Sequence, residues 1–211
     1  MGRKPRALDL AASRTDDPIT LRVLRPADYK RMPWKNGGGM ATELAVYPSG
    51  DAYDWRISIA DIESNGPFST FEGYDRYIAL LEGLGMELRF DDGEPVRLER
   101  RLQFVKFAGE QRTDGVLVSG KVRDFNVIYK RDAVRVDVLH RPLVGPMVFF
   151  RDVTWFVYLA GGTAEAKSGG ESIALQGNDS LMLPAEPGGQ RVVINGGGEV
   201  VLVKIAAPDA A

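Results

Sequence analysis

From Ile19 onward the sequence consists of short alternating or apolar runs, broken roughly every 8 to 12 residues by Gly, Pro, Asn or Asp. This spacing is typical of a β-sandwich or β-barrel, in which each run forms a strand and each break a turn. Asn-Gly-Gly-Gly at 195–198 is predicted as one such turn. Helical periodicity is confined to residues 27–31, between Pro26 and Pro33. The pattern therefore predicts an all-β fold with very little helix.

A weak internal repeat suggests how the strands are organised. A strand at 77–83 that ends in glycine, with a returning strand from 104, is similar to a strand at 155–161 and its return from 181. Such strand-and-return units build the cupin barrel. The repeat therefore predicts a bicupin, with two cupin-like barrels or sandwiches derived from one duplication. A chance similarity between β-hairpins stays open as the alternative.

The predicted domains follow from the position of the repeat. Residues 1–18 are predicted as a flexible tail, residues 19–133 as an N-terminal barrel with the candidate site, and residues 134–211 as a degenerate barrel packed on the first. The tail mixes basic and acidic residues and has no continuous apolar segment like that of a signal peptide. We therefore expect an uncleaved cytoplasmic protein.

The cysteine, histidine and charge counts exclude several classes of function. With no cysteine, the chain forms no disulfide, zinc finger or iron–sulfur site, and its single histidine, His140, cannot supply a histidine pair. Lys and Arg number 27 against 29 Asp and Glu, so no strong field attracts nucleic acid. No run approaches the ~18 apolar residues of a membrane span. We expect no metal, cofactor, nucleic acid or membrane partner.

Five short motifs occur in order between positions 33 and 126. They are Pro33-Trp34-Lys35-Asn36-Gly37-Gly38-Gly39 with Glu43, Trp55-Arg56-Ile57-Ser58-Ile59-Ala60, Asn65-Gly66-Pro67-Phe68-Ser69, Leu80-Leu81-Glu82-Gly83 and Asp124-Phe125-Asn126. Together they resemble the HutD/Ves family, whose recurring elements are W-K/R-N-G-G-G, W-R-x-S-x-A, N-G-x-F-S, L-L-E-G and D-F-N. The resemblance extends from Leu21 to Arg131 and more diffusely to Ile205. At Ala41 the family usually has Thr, so a hydroxyl contact is not carried over to this position.

The resemblance implies a bicupin without a catalytic metal that is associated with histidine utilisation. It also implies binding of formate or a formyl amino acid, with a moderating effect on that pathway. No established catalytic activity comes with the family.

The strand at residues 55–60 is the first candidate ligand-binding element. Its period-2 alternation places Arg56 and Ser58 on one face and Trp55 on the other. A guanidinium presents a planar fork that matches a carboxylate, and a nearby hydroxyl can complete the contact. A sheet with one solvent-facing side would explain the same alternation.

The basic, glycine-rich loop is the second candidate element. Lys35 and Asn36 precede Gly37 and Gly38, where the backbone can approach a ligand and present amide groups to an anion. An ordinary Asn-Gly hairpin turn is the alternative. The phosphate-loop pattern is absent.

The remaining candidate residues are polar or aromatic. Asp124 and Asn126 share a strand face and either line a pocket or hold a turn. Arg76 either enters the pocket as a second cation or forms a surface ion pair. Four further side chains complete the candidate ligand-binding set as pocket walls or polar contacts: Glu43, Trp55, Phe68 and Ser69.

Three functions are consistent with these residues. The first is a non-enzymatic protein that binds a small carboxylate or formylated metabolite. The second is a cupin isomerase or lyase that uses Glu43, Asp124 or Lys35 as acid or base, and the third is a pure interaction module. The analogy with cupin barrels that pair through sheet edges also suggests a homodimer.

Overall fold

The computed structural model describes residues 21–34 and 39–208, and most of them lie in antiparallel strands joined by tight turns. The first eleven strands are β1 (Arg22–Leu24), β2 (Lys30–Pro33), β3 (Gly39–Tyr47), β4 (Trp55–Ile62), β5 (Gly66–Pro67), β6 (Tyr74–Glu82), β7 (Met86–Phe90), β8 (Val96–Leu98), β9 (Val105–Ala108), β10 (Thr113–Leu117) and β11 (Val122–Lys130). The last five are β12 (Arg135–Phe149), β13 (Thr154–Ser168), β14 (Glu171–Gln176), β15 (Ser180–Leu183) and β16 (Val192–Ala206). Helix within the described residues amounts to one 3-10 turn at Pro26–Asp28. The all-β prediction is confirmed.

The strands form three sheets. The N-terminal sheet has the order β2-β3-β4-β11-β6-β9, and a small sheet has the order β5-β10-β7-β8. The C-terminal sheet has the order β1-β15-β13-β16-β12, with β14 paired to β13. The order β4-β11-β6-β9 therefore has a counterpart in β12-β16-β13-β15.

The N-terminal sheet is covered on both faces. One face carries Trp55 and Phe125 into a core cluster shared with Tyr158 of the C-terminal sheet, where the Phe125 and Tyr158 ring centroids lie 5.3 Å apart. The opposite face packs against the small sheet in a second cluster around Ile78 and Leu88. Each fully buried large apolar side chain contributes roughly 1.5–3 kcal/mol to folding. Polar side chains on this second face therefore lie inside the N-terminal barrel.

The first strand lies outside the barrel in which the sequence places it. β1 pairs with β15, with Arg22 opposite Met182, and Leu21 packs in a core cluster of the C-terminal sheet. The guanidinium of Arg25 pairs with the buried carboxylate of Asp179. Burial of Leu21 and this ion pair therefore attach the start of the described chain to the C-terminal half. Of the predicted tail, residues 1–18 lie outside the described residues.

Close backbone contacts between β13 and β16 explain the glycines at positions 162, 196 and 198. A Cβ atom on Gly162 would lie 2.0 Å from the Gly197 carbonyl oxygen, and one on Gly198 would lie 2.0 Å from that of Gly161. The segment 195–198 is part of the continuous 15-residue strand β16, so the predicted turn is wrong. Glycine serves here for close approach between strands rather than for chain reversal.

No helix among the described residues is long and apolar enough to cross a membrane.

Candidate functional site

A set of polar side chains crosses the inner face of the N-terminal sheet. In the strand register Glu43 lies opposite Ser58, and Ser58 lies opposite Asn126. Ser58 and Asn126 are buried, whereas Trp55 points into the core on the other face. The predicted alternation of residues 55–60 is therefore confirmed. A solvent-facing position for Ser58 is ruled out by its burial.

Arg76 is the centre of this group. Its side chain is buried, with 4% of the residue exposed, and its Nη2 donates to Asn126 Oδ1 at 2.9 Å. Its Nη1 donates to the Ser69 carbonyl at 3.4 Å, and Asn126 Nδ2 donates in turn to Asp124 Oδ1. Arg76 is thus an internal cation rather than a surface ion-pair partner. Asn126 links it to the buried acid.

Aromatic rings surround the two guanidinium groups. The Arg76 guanidinium carbon lies 5.1 Å from the Phe68 ring centroid, 5.5 Å from that of Phe71 and 5.2 Å from that of Phe107. The Arg56 guanidinium lies over the Phe71 ring as well, at 5.9 Å. The quadrupoles of these rings attract cations but do not use their N–H groups. Both arginines therefore keep donors for a ligand.

Three buried polar atoms in this group have no hydrogen-bond partner among the residues that the structure describes. They are Nε of Arg56, Nε of Arg76 and Oδ2 of Asp124. A buried polar atom without a partner costs free energy, and in native proteins such atoms call for a specific explanation. These two N–H donors and one carboxyl oxygen could form hydrogen bonds with a small ligand that carries several oxygen atoms.

Burial also shifts the pKa values of the charged members. Desolvation raises the pKa of Asp124 to about 7, although the positive charge of Arg76 and a hydrogen bond from the Ala60 backbone both oppose the rise. Desolvation lowers the pKa of Arg76 to about 10, an effect that the negative charge of Asp124 opposes. At neutral pH, Arg76 is therefore charged and Asp124 is close to its midpoint.

The other predicted residues lie at varying distances from this centre. Glu43 is half-buried on β3, and Ser69 is exposed and contributes its backbone carbonyl. Trp55 does not join the group, because strand alternation turns it toward the opposite core, where it stacks on Tyr47. The predicted Lys35, Asn36, Gly37 and Gly38 lie outside the described residues.

The ends of that loop are nevertheless placed. The Trp34 N–H donates to the Gly39 carbonyl at 2.9 Å, and the Trp34 ring lies 6.4 Å from the ring of Phe68. Because the Phe68 ring lies against the Arg76 guanidinium, the two residues that flank the loop, Trp34 and Gly39, lie near the polar group. A cleft of about 150 Å³ is found here, bounded by Trp34, Phe68 and Gly115.

A larger depression of about 540 Å³ lies on the C-terminal half, between Lys167, Glu171 and Arg191. These three side chains are exposed. We favour the N-terminal group as the candidate site because its polar side chains are buried and incompletely hydrogen-bonded. Within the described residues, no three His, Cys, Asp or Glu side chains come together as metal ligands would.

Sequence reasoning missed three aromatic members of the site, namely Tyr53, Phe71 and Phe107. Phe107 lies on β9 directly opposite Arg76, and Phe71 lies in the loop before β6. Tyr53 is in the turn before β4, with its ring centroid 5.2 Å from the Arg56 guanidinium carbon. Their only sequence signal is that they are aromatic, and pairing between strands brings them to the arginines.

The fold defines the class of the protein as a cupin-like β-protein. Its architecture is similar to that of a cupin 2 conserved barrel domain protein from Leptotrichia buccalis, with a TM-score of 0.55 and 9% identity over 84% of this chain and 96% of that one. It is also similar to Ylba from Escherichia coli, with a TM-score of 0.71 and 10% identity over 90% of this chain and 93% of that one. At these identities the likeness concerns the fold alone.

The particular family follows from closer matches. The family model HutD matches residues 26–202, and the chain belongs to this family. An uncharacterized 21.2 kDa protein in the hutC 3' region of Pseudomonas putida is 38% identical over 77% of this chain and 90% of its own length. HutD from Pseudomonas fluorescens, solved in a formate condition, has a TM-score of 0.75 and 34% identity, over 89% of this chain and 99% of that one. A conserved protein of unknown function from Pseudomonas aeruginosa has a TM-score of 0.82 and 33% identity, over 90% of this chain and all of that one.

Proposed function

We propose that this protein binds a small carboxylate or formylated metabolite, such as formate or N-formyl-glutamate, inside the N-terminal barrel. In this proposal the chain catalyses no reaction and moderates histidine utilisation through the occupancy of the site. The observation that carries the proposal is a pair of arginines on the barrel's inner face, Arg56 and Arg76, whose Nε donors have no partner within residues 21–34 and 39–208.

The chemistry of this pair favours a carboxylate over other small molecules. Arginine donors form a planar fork that matches two oxygens of one carboxylate. Arg56 and Glu43 are only half-buried, so the group extends toward solvent at that end. The cleft of about 150 Å³ beside Phe68 favours a small ligand or the formyl end of a larger one.

Two relatives support the proposed pathway and ligand. The relative from Pseudomonas putida is described by its position beside hutC, and the HutD structure from Pseudomonas fluorescens was obtained in a formate condition. The recurring strand order in the two halves supports a further part of the proposal, that the chain is a bicupin derived from a duplication.

An acid–base enzyme is the second candidate. The observation that favours it is Asp124, because burial brings its pKa to about 7, where a general acid or base is most effective. This enzyme would be an isomerase or lyase that uses Asp124, Glu43 or Lys35 as acid or base. A stoichiometric metal in the purified protein, or turnover of a ligand that Glu43→Gln abolishes, would favour it over the binding protein.

Calorimetric titration of the wild type with sodium formate and N-formyl-L-glutamate tests the proposed function, with urocanate and chloride as comparisons. We expect saturable binding of the formyl compound or carboxylate and at least tenfold weaker binding by Arg56→Ala. Arg112→Ala is the matched control, because the side chain of Arg112 is 81% exposed and the residue directly precedes β10. Absence of binding, or equal affinity in Arg56→Ala, would contradict the proposal.

A further inference from the structure

The acid inside the candidate site has an unusual set of contacts. Asp124 is fully buried, and its carboxyl group accepts from Asn126 at Oδ1 and from the Ala60 backbone. Its Oδ2 has no partner among the described residues. No hydrogen bond or ion pair among the described residues joins Asp124 directly to a cation, because Asn126 stands between it and Arg76. A buried carboxylate usually needs such a direct partner to remain ionised.

Within the described part of the chain, few charges face Asp124 from the elements packed around it. Arg76 on β6 acts through Asn126, and Asp61 on β4 adds a weak repulsion. Asp124's register neighbours are Ala60 on β4 and Leu80 on β6, and Glu43 and Arg56 lie farther along the neighbouring strands on the same face. The small sheet opposite supplies apolar side chains to this cluster: Met86, Leu88 and Leu98.

An anion bound to the arginines changes this balance. Its negative charge would compete with Asp124 for the attraction of Arg76, in a barrel interior where charges are poorly screened. Two carboxylates that share one site cannot both ionise at low cost, so one of them retains a proton. Formate and N-formyl-glutamate are strong enough acids to remain ionised above pH 6, which leaves Asp124 as the group that is protonated.

We infer that Asp124 takes up a proton when the site binds an anion, so that the neutral acid selects anionic ligands and affinity falls as the pH rises. This inference rests on the proposed function and assigns its pH response to one residue. The neutral acid also gains an O–H donor, which gives the unpartnered Oδ2 a bond to a ligand oxygen.

The direction of the pH effect follows from the burial of Asp124. Because its pKa is about 7 without a ligand, the acid is already neutral at pH 6, and binding there needs no proton. At pH 9 the acid is ionised and must be protonated on binding, which weakens affinity by up to tenfold for each pH unit above 7. Arg76 has a pKa of about 10 and keeps its charge over most of this range.

Titration with sodium formate between pH 6 and 9, at constant ionic strength, tests the inference. We expect the Kd at pH 9 to be at least tenfold that at pH 6 in the wild type and nearly constant in Asp124→Asn, which preserves the contact with Asn126. Asp114→Asn makes the same chemical change at an exposed residue of β10 and should retain the wild-type profile.

A second measurement uses the wild type alone and does not depend on whether Asp124→Asn folds. Binding heats at pH 8.5 in two buffers of different ionisation enthalpy give the number of protons taken up, which we expect to approach about one for each formate. Binding without proton uptake, or a profile equally steep in folded Asp124→Asn, would overturn the inference while leaving the proposed function intact. Absence of binding at every pH would overturn both.

Discussion

The Nη2 atom of Arg76 donates to Oδ1 of Asn126 at 2.9 Å inside the N-terminal barrel. This contact fixes the orientation of the Asn126 amide, because its oxygen accepts from Arg76 and its nitrogen then donates to Asp124. A cation and an acid are thereby connected without touching. Nε of Arg76 has no partner in the part of the chain that the structure describes, so it is available to a ligand in the proposed function.

Asp124 should make the folded state less stable as the pH rises. Its pKa is raised to about 7 in the folded protein and is near 3.9 in the unfolded chain, so between these values the folded state holds the extra proton. The free energy that this proton contributes to the folded state is greatest below about pH 4 and is lost as the pH rises toward 7. Relative to wild type, Asp124→Asn should therefore gain free energy of unfolding between pH 4.5 and pH 8, by an amount on the order of a few kcal/mol.

Urea denaturation of both proteins at the two pH values measures this difference. Asp114→Asn, at an exposed position, should show no such gain. An equal wild-type-to-variant difference at pH 4.5 and 8 would show that Asp124 titrates normally.

Trp55 should matter for stability and not for ligand affinity. It is almost fully buried in the cluster between the two sheets, on the opposite face from Arg56. Trp55→Phe should lower the free energy of unfolding by about 1–3 kcal/mol through lost packing. The Kd for formate should stay within twofold of the wild-type value, and a larger change in a folded variant would place Trp55 at the site.

The close approach of β13 and β16 predicts a contrast between two glycines with nearly equal backbone angles. Gly162 has φ +95° and Gly170 has φ +93°, but a Cβ at Gly162 would meet the Gly197 oxygen whereas one at Gly170 would meet nothing within 4 Å. Gly170→Ala should lower the free energy of unfolding by about 1–2 kcal/mol, which is the cost of holding alanine in the left-handed backbone conformation. Gly162→Ala should lower the free energy of unfolding by clearly more, because its Cβ would also clash with the Gly197 oxygen. Thermal or urea unfolding of both variants measures the difference. Equal losses would mean that the strands can separate at no cost.

Period-2 alternation predicted which side chains share a face, but not which of them meet. It placed Arg56 with Ser58 and Asp124 with Asn126, because alternation along a strand needs no knowledge of neighbouring strands. The central position of Arg76 depends on β6 pairing with β11, and a local pattern does not reveal that register. The sequence therefore left its role open between the pocket and the surface.

Glycine-rich segments were the least predictable part of the fold. Gly196 and Gly198 lie inside a strand where a neighbouring backbone approaches closely, whereas Gly170 supplies a turn. Both uses exploit the missing Cβ, so the local sequence does not distinguish them. The neighbouring strand determines which use applies. For Gly196 and Gly198 that strand is β13, whose paired residues are more than thirty positions away along the chain.

In the proposed function, Arg76 binds the carboxylate of the ligand through its planar guanidinium group. Calorimetric titration of Arg76→Lys with sodium formate tests this most directly, because lysine keeps the charge and loses the fork. Circular dichroism and thermal unfolding establish that the variant is folded, and Arg112→Lys serves as the exposed control. We expect at least a tenfold rise in Kd for Arg76→Lys and none for Arg112→Lys. An unchanged Kd in folded Arg76→Lys would contradict this role of Arg76.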